Sequence, residues 1–342
     1  MSKRTSNGAI LASIAKGWKP NQYLTNMSMA FFSDPNDFVA RKIFPICPVS
    51  LSSANYYIFS KADLARDNVG KKPQFGKVAP AIMGQSEDTY SCTVDQIIVG
   101  IDQIGAINYA RTNAPGAADP RRAKVRFAQE QMDLHLDIMF AEKFFKPGVW
   151  ANEWTGVTTG ADSTSNTMLK WDDANFDPVA FFDARKTEFK KKGRKKPNRL
   201  GLGPVAFEAL KNNPFILERI KYTGSTANPA IVTEKVLEAV LDIEQVSVLD
   251  STYNAAGYGK EDMQYICDEN AALLAYATNS PQIDEPSAGY IFAWDMFGNG
   301  SYTAFSQFDG EPGTHSEFIE GLISNDMKKT SDDLGMFFTN CR

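Results

Sequence analysis

The chain has 342 residues, 43% of them hydrophobic and 23% charged, with a formal net charge of −5. That is enough apolar material for two ordinary cores, which excludes the disordered and fibrous classes, and it shows no basic excess of the kind a free-standing nucleic-acid binder carries. Cys47, Cys92, Cys267 and Cys341 form no C-x-x-C pair, so neither a disulfide framework nor a zinc site is predicted and a reducing cytoplasm fits best. Lys3 and Arg4 precede a short apolar stretch (10–15) that Lys16 interrupts, so no export signal is read. No run approaches the roughly 18 to 20 apolar residues of a spanning helix.

In chain order, residues 1–55 mix short apolar stretches with Pro20, Pro35, Pro45 and Pro48 and show no sustained period, which reads as an arm. A strand is predicted at 56–59, a polar and glycine-bearing stretch at 61–84, and a second strand from Thr89, where Tyr90, Cys92 and Val94 alternate with Ser91, Thr93 and Asp95. A hairpin with so long a polar tip is marginal in water by itself, so either it borrows support from another chain or these two segments are not strands. Asp119-Pro120 opens the longest predicted helix, which runs to Lys146 before Pro147-Gly148 stops it. Phe127, Leu134, Ile138, Ala141 and Phe145 share one stripe of it, and Val125, Met132, Leu136 and Met139 widen the apolar surface. Asp177-Pro178 repeats the capping signal for a helix to Gly193. A strand at 199–203 and helices at 204–211, 214–222 and 234–241 follow, with strands at 246–249, 264–267, 273–277, 290–296, 317–323 and 334–339. The class is α+β, and no repeat of solenoid or propeller length is visible.

Catalytic chemistry finds little footing. His135 lies within the long helix and His315 in a turn-rich stretch, so structural or surface roles fit them better than a triad. Asp172 and Asp173 read as a helix approach or solvated turn, and Gly201-Leu202-Gly203 lacks the rest of a dinucleotide fingerprint. No catalytic, cofactor-binding or metal-binding residue is assigned. The basic run Lys190-Lys191-Lys192-Gly193-Arg194-Lys195-Lys196 is the strongest charge signal. It suits a helix end, where cations complement the last carbonyls, better than a DNA site.

The order of arm, hairpin, girder helix and α+β domain resembles tailed-bacteriophage major capsid proteins of the Hong Kong 97 type. Local stretches carry the resemblance further. Phe44-Pro45-Ile46-Cys47-Pro48-Val49, followed by Tyr56-Tyr57-Ile58-Phe59-Ser60-Lys61-Ala62-Asp63-Leu64-Ala65-Arg66, looks like the arm-to-loop passage of one large phage capsid group. Phe144-Phe145-Lys146-Pro147-Gly148-Val149-Trp150, Trp171-Asp172-Asp173, Pro214-Phe215-Ile216-Leu217-Glu218-Arg219-Ile220-Lys221-Tyr222 and Pro286-Ser287-Ala288-Gly289-Tyr290-Ile291-Phe292-Ala293-Trp294 are similar to stretches of that group in the same order.

The resemblance implies an N-terminal arm (1–55), an extension loop (56–107) and a peripheral domain (108–197) with a spine helix (119–146). It implies further an axial domain (198–285) and a return through the peripheral domain (286–342) whose last strand rejoins the axial domain. It implies a virion shell protein without enzymatic activity, assembled in the host cytoplasm from hexamers and pentamers around double-stranded DNA, with no membrane contact. The arm begins almost at Met1 with no charged helical segment ahead of it, so scaffolding is expected from a separate protein, beside portal and possible decoration partners. The predicted intersubunit contacts are Phe31, Phe32 and Phe38 in the arm, Tyr56, Tyr57 and Phe59 at the loop base and Phe75 at its tip. A covalent cross-link would need a loop lysine, Lys61, Lys71, Lys72 or Lys77, facing a partner amide. The competing readings are an encapsulin-like compartment shell, a nucleic-acid binder using residues 190–199 and, weakest, a hydrolase of scattered carboxylates.

Overall fold

The computed structural model describes residues 38–59, 61–72, 74–104, 120–221, 232–257, 259–281, 285–296 and 303–342. A short helix α1 (Ala40–Ile43) and strand β1 (Ile46–Val49) lead into β2 (Ser53–Phe59) and the one-turn helix α2 (Lys61–Leu64). Then come β3 (Gln85–Ser91), β4 (Thr93–Asp102), the long helix α3 (Pro120–Phe144), β5 (Glu153–Val157) and β6 (Thr167–Leu169). The second half holds α4 (Pro178–Gly193), β7 (Arg199–Leu202), α5 (Pro204–Asn212), α6 (Pro214–Lys221), α7 (Glu234–Leu241), β8 (Gln245–Val248), β9 (Thr252–Asn254), β10 (Met263–Tyr265) and β11 (Ala272–Ala275). It closes with β12 (Gly289–Trp294), β13 (Thr303–Asp309), β14 (Ser316–Lys329) and β15 (Gly335–Thr339).

Two sheets organise these elements. The first is built on β14, a strand of 14 residues. One edge of it pairs antiparallel with β4 from Ser316↔Asp102 to Asn325↔Thr93. Its other edge pairs with β13 and, further along, with β12, which in turn pairs parallel with β1. The second sheet has six strands in the order β6-β5-β15-β11-β7-β8. Its centre, β11, reads Ala-Leu-Leu-Ala and is buried throughout, as a strand covered on both faces must be.

The α3 helix has 25 residues, about 38 Å at 1.5 Å per residue, and lies along β14 and β4. Gly321 on β14 permits that approach, because a Cβ there would press against Phe305, Ile97 and the Met132 methyl of α3. The α4 helix starts where the sequence says it should: Pro178 takes the first helical position and the Asp177 carboxylate accepts the Val179 and Ala180 N–H groups at 2.9 and 3.2 Å.

Several expectations need correction. The arm is not irregular to residue 55, since Val39, Ala40, Ile43 and Phe44 are fully buried in the main core and β1 is a sheet strand. The second hairpin strand stops at Ser91, and Thr93–Asp102 belongs to the first sheet. Only β2 and β3 form the ribbon, from Ser53↔Ser91 to Phe59↔Gln85. The long helix ends at Phe144, not Lys146. Its core face is Val125, Ala128, Met132, Leu136 and Phe140, while Phe127 of the expected stripe is about half exposed. The stripe was misplaced because Gln129, Asp133 and Asp137 are buried on the same face, and counting apolar residues alone treats them as solvent-facing. The six-stranded sheet also begins at Glu153 rather than near residue 198, because β15 pairs parallel with β5 and β5 with β6. The last strand, β15, pairs antiparallel with β11 and parallel with β5 in that sheet.

Candidate assembly surfaces

The β2–β3 ribbon is anchored at its base. Tyr56, Tyr90, Cys47, Val49, Cys92, Tyr290 and Phe292 form a satellite core, with Tyr90 stacked on Phe292 at 4.6 Å. The Tyr56 hydroxyl donates to the Asp88 carboxylate at 2.8 Å, and burial together with Asp88 pushes the phenol well above its usual range. Tyr56 is therefore committed to its own chain and is withdrawn as an intersubunit contact. Its neighbour in sequence points the other way, as strand alternation requires, and Tyr57 is exposed.

Beyond the ribbon the excursion is closed by two local devices. Lys61 pairs with Asp333 on the body, and the Asp63 carboxylate accepts the Gly84 N–H at 3.0 Å. Between these closures the apolar side chains lie open to solvent: Val69 is 92% exposed, Phe75 100% and Ile82 82%. Phe75 also holds φ at +62°, a left-handed value that costs an aromatic residue roughly 1–3 kcal/mol unless its surroundings enforce it. Fully burying each of these side chains would contribute about 1.5–3 kcal/mol. The tip thus holds unrealised burial. A groove of about 360 Å³ runs under the ribbon's base, lined by Tyr57, Leu64, Arg194, Tyr290 and Leu334 among others.

The arm is fixed by a buried polar clamp that no sequence pattern announced. Asp137 on α3 accepts the Val39 and Ala40 N–H groups at 3.0 and 2.8 Å, which caps the orphan donors at the start of α1. One turn earlier Asp133 pairs with Arg41 and accepts the Gln129 amide at 3.0 Å. Burial raises both carboxyls, Asp133 against the pull of Arg41 and Asp137 to about 6 against its two backbone donors. Phe38 is half-buried beside this clamp, while Phe31, Phe32 and the Phe59 side chain lie outside the described residues.

The Asp137 shift has a definite sign. Between the unfolded value of 3.8 and about 6 the folded chain holds the extra proton, so stability falls as pH rises through 6, by on the order of 3 kcal/mol in all. Denaturant unfolding of wild type at pH 5 and pH 7, set against Asp137→Asn, should show the wild type losing more stability than the variant at the higher pH. Equal losses would remove Asp137 as the cause.

The remaining candidates for chemistry are scattered. His135 is exposed on α3 and faces Asp95 at 3.6 Å, His315 sits at φ +46° before β14, and Asp173 closes a turn by accepting the Asn175 N–H. Among the described residues no group of three or more His, Cys, Asp and Glu side chains is placed to hold a metal, and no helix is long and apolar enough to cross a membrane. The basic run ends α4: Lys192 pairs with Glu188 at 2.8 Å, and Arg194 adopts the left-handed cap with its N–H on the Lys190 carbonyl.

No family model matches the chain. It is 22% identical over 232 residues, 67% of its own length and 68% of the relative's, to the major capsid protein of Burkholderia phage BcepMu. The crystal structure of a phage-related protein from Bordetella bronchiseptica superposes with a TM-score of 0.69 at 18% identity, over 94% of this chain and 97% of that one. The ribbon, the long helix along β14 and the two-sheet body are the elements, in the same order, that the resemblance to Hong Kong 97-type proteins implies. The chain is therefore similar in sequence to a phage major capsid protein and shares the fold of a phage-related protein.

Proposed function

We propose that copies of this chain associate through the hairpin tip into hexamers and pentamers, and that these close into an icosahedral head around double-stranded DNA. The observation that carries this reading is the tip: Val69, Phe75 and Ile82 find no cover on their own subunit, and a solvated loop with that composition lowers its free energy by burial elsewhere. Each contact is weak, but a closed lattice makes many at once, and later contacts form at high effective concentration. The first sheet with α3 acts as the peripheral domain and α3 as its spine. The six-stranded sheet acts as the axial domain, and residues 56–92 are the extension loop.

In this role the chain needs no catalytic residue. Scaffolding, portal and decoration functions fall to separate proteins, and assembly takes place in the host cytoplasm before the shell becomes part of the virion. Tyr57 and Phe75 remain the contact residues, and Phe38 a contact of the arm. Electron microscopy and nuclease-protection analysis of the full chain, expressed alone and with its neighbouring structural genes, test the reading. Closed shells that protect double-stranded DNA when co-expressed are expected. Shells that enclose only protein would point to a compartment instead, and monomers under all conditions would refute the proposal.

A further inference from the structure

We propose that the groove under the base of the β2–β3 ribbon is a binding site for a small aromatic carboxylate, with its ring among Tyr57, Leu64 and Leu334 and its charge met by Arg194 and Lys195. The inference goes beyond the shell reading above, because the groove is lined within one subunit and its occupancy is read without any assembly step.

The lining of the groove is gathered from distant parts of the chain. β2 and α2 contribute Tyr57, Ile58 and Leu64, and the body contributes Pro286, Tyr290 and Leu334. Its volume of about 360 Å³ lies within the range of roughly 300–1,000 Å³ that small-molecule sites occupy. Tyr57 and Leu64 are each 50% exposed, so their apolar surface has no full cover on the subunit. Apolar walls of this kind supply affinity, and a few placed charges supply orientation. The phosphate backbone of DNA carries charge but brings no apolar group to such walls, so it fits the groove less well than a ring with one acidic group.

The charges select an anion. Lys61, Arg194 and Lys195 border the groove, against the carboxylates of Glu285 and Asp333. Lys61 and Asp333 pair with each other, which leaves Arg194 and Lys195 against Glu285 alone. Among the described residues the Arg194 guanidinium has no hydrogen bond or ion pair, and Lys195 rests on the Tyr276 ring at 5.6 Å with no carboxylate partner. The Arg194 backbone adds a second observation. It holds φ at +62° in the position after a helix that glycine usually fills. Gly193 is required one residue earlier, because a Cβ there would lie 2.7 Å from the Leu334 side chain and 2.8 Å from the Asp333 carbonyl oxygen. That close approach presses the end of α4 onto the turn before β15 and fixes where the Arg194 side chain starts. A long side chain kept where glycine would be less strained points to a use for its head group. An unpaired guanidinium at the mouth of an apolar groove suits a carboxylate, which it can meet in two parallel hydrogen bonds.

Isothermal titration calorimetry of the full-length subunit with naphthoate, its neutral analogue naphthamide, and acetate tests the assignment. Naphthoate should bind with a Kd below about 1 mM and naphthamide about tenfold more weakly, while acetate, which has no ring, should give no measurable heat. Arg194→Gly should weaken naphthoate about tenfold and yet raise the melting temperature by roughly 1–2 °C, because glycine relieves the left-handed backbone. Those opposite signs separate the loss of a ligand group from damage to the fold. Arg194→Lys, which keeps the charge, should fall between wild type and Arg194→Gly, and Tyr57→Ser should weaken naphthoate and naphthamide alike. Equal affinity for naphthoate and naphthamide would overturn the charged half of the site. Naphthoate binding that survives both Arg194→Gly and Tyr57→Ser would place the ring elsewhere, on the bare apolar tip for instance, and would overturn the assignment outright. So would the absence of heat from naphthoate up to about 5 mM. None of these results depends on whether shells form, so the shell reading stands or falls separately.

Discussion

Replacing residues 60–84 with Asn-Gly should leave a folded subunit that forms no shells. Phe59 and Gln85 face each other in the ribbon's register, so a two-residue type I′ turn joins them with the twist the strands already have. The satellite core of Tyr56, Tyr90 and Phe292 lies on the body side of that junction and is untouched. Thermal melting should move by only a few degrees, because among the described residues the tip buries no apolar side chain, and its tie to the body is the exposed Lys61–Asp333 pair. Shell yield by sedimentation and electron microscopy should fall to background. An unfolded product would mean that the tip supports its own subunit, and normal particles would mean that another surface drives assembly.

The second large effect is expected at Phe44, where Phe44→Ala should destabilise the subunit by about 3–5 kcal/mol. The side chain is wholly buried, edge-on to Phe140 at 5.1 Å and within 4.9 Å of Phe144 on α3, and it also faces Trp150. Gly289 on β12 makes space for it, since a Cβ there would overlap the Phe44 ring. Removing the ring empties the point where arm, long helix and first sheet meet. A loss of that size is a large share of the roughly 5–15 kcal/mol that holds a typical domain together. Denaturant titration at fixed pH measures it, and a loss below about 1 kcal/mol would show that the site collapses around the gap.

The parts of this fold that were legible in the sequence are those governed by neighbours along the chain. Asp177-Pro178 and the basic last turn bracket α4, and Glu234–Leu241 matches its expected helix residue for residue. The parts that were not legible depend on distant partners. Val39 and Ala40 reach Asp137 across almost a hundred residues, and a carboxylate on an apolar helix reads as a surface residue until its donors are in view. The strand β13 escaped notice because Thr303, Ala304, Phe305 and Ser306 are buried in succession and leave no alternation to read. For the assembly surface, Phe75 and Tyr57 were singled out as aromatics and are exposed. Tyr56 was singled out on the same grounds and is core, because residue type cannot tell which side of a ribbon meets the body.

The account depends on the tip gaining cover from another copy. A near-atomic cryo-electron microscopy map of assembled particles tests this most directly. Phe75 and Ile82 should be buried against a neighbouring subunit, with the Tyr56, Tyr90 and Phe292 cluster unchanged within each chain. Particles in which Phe75 still faces solvent, or in which the tip folds back onto its own body, would contradict it.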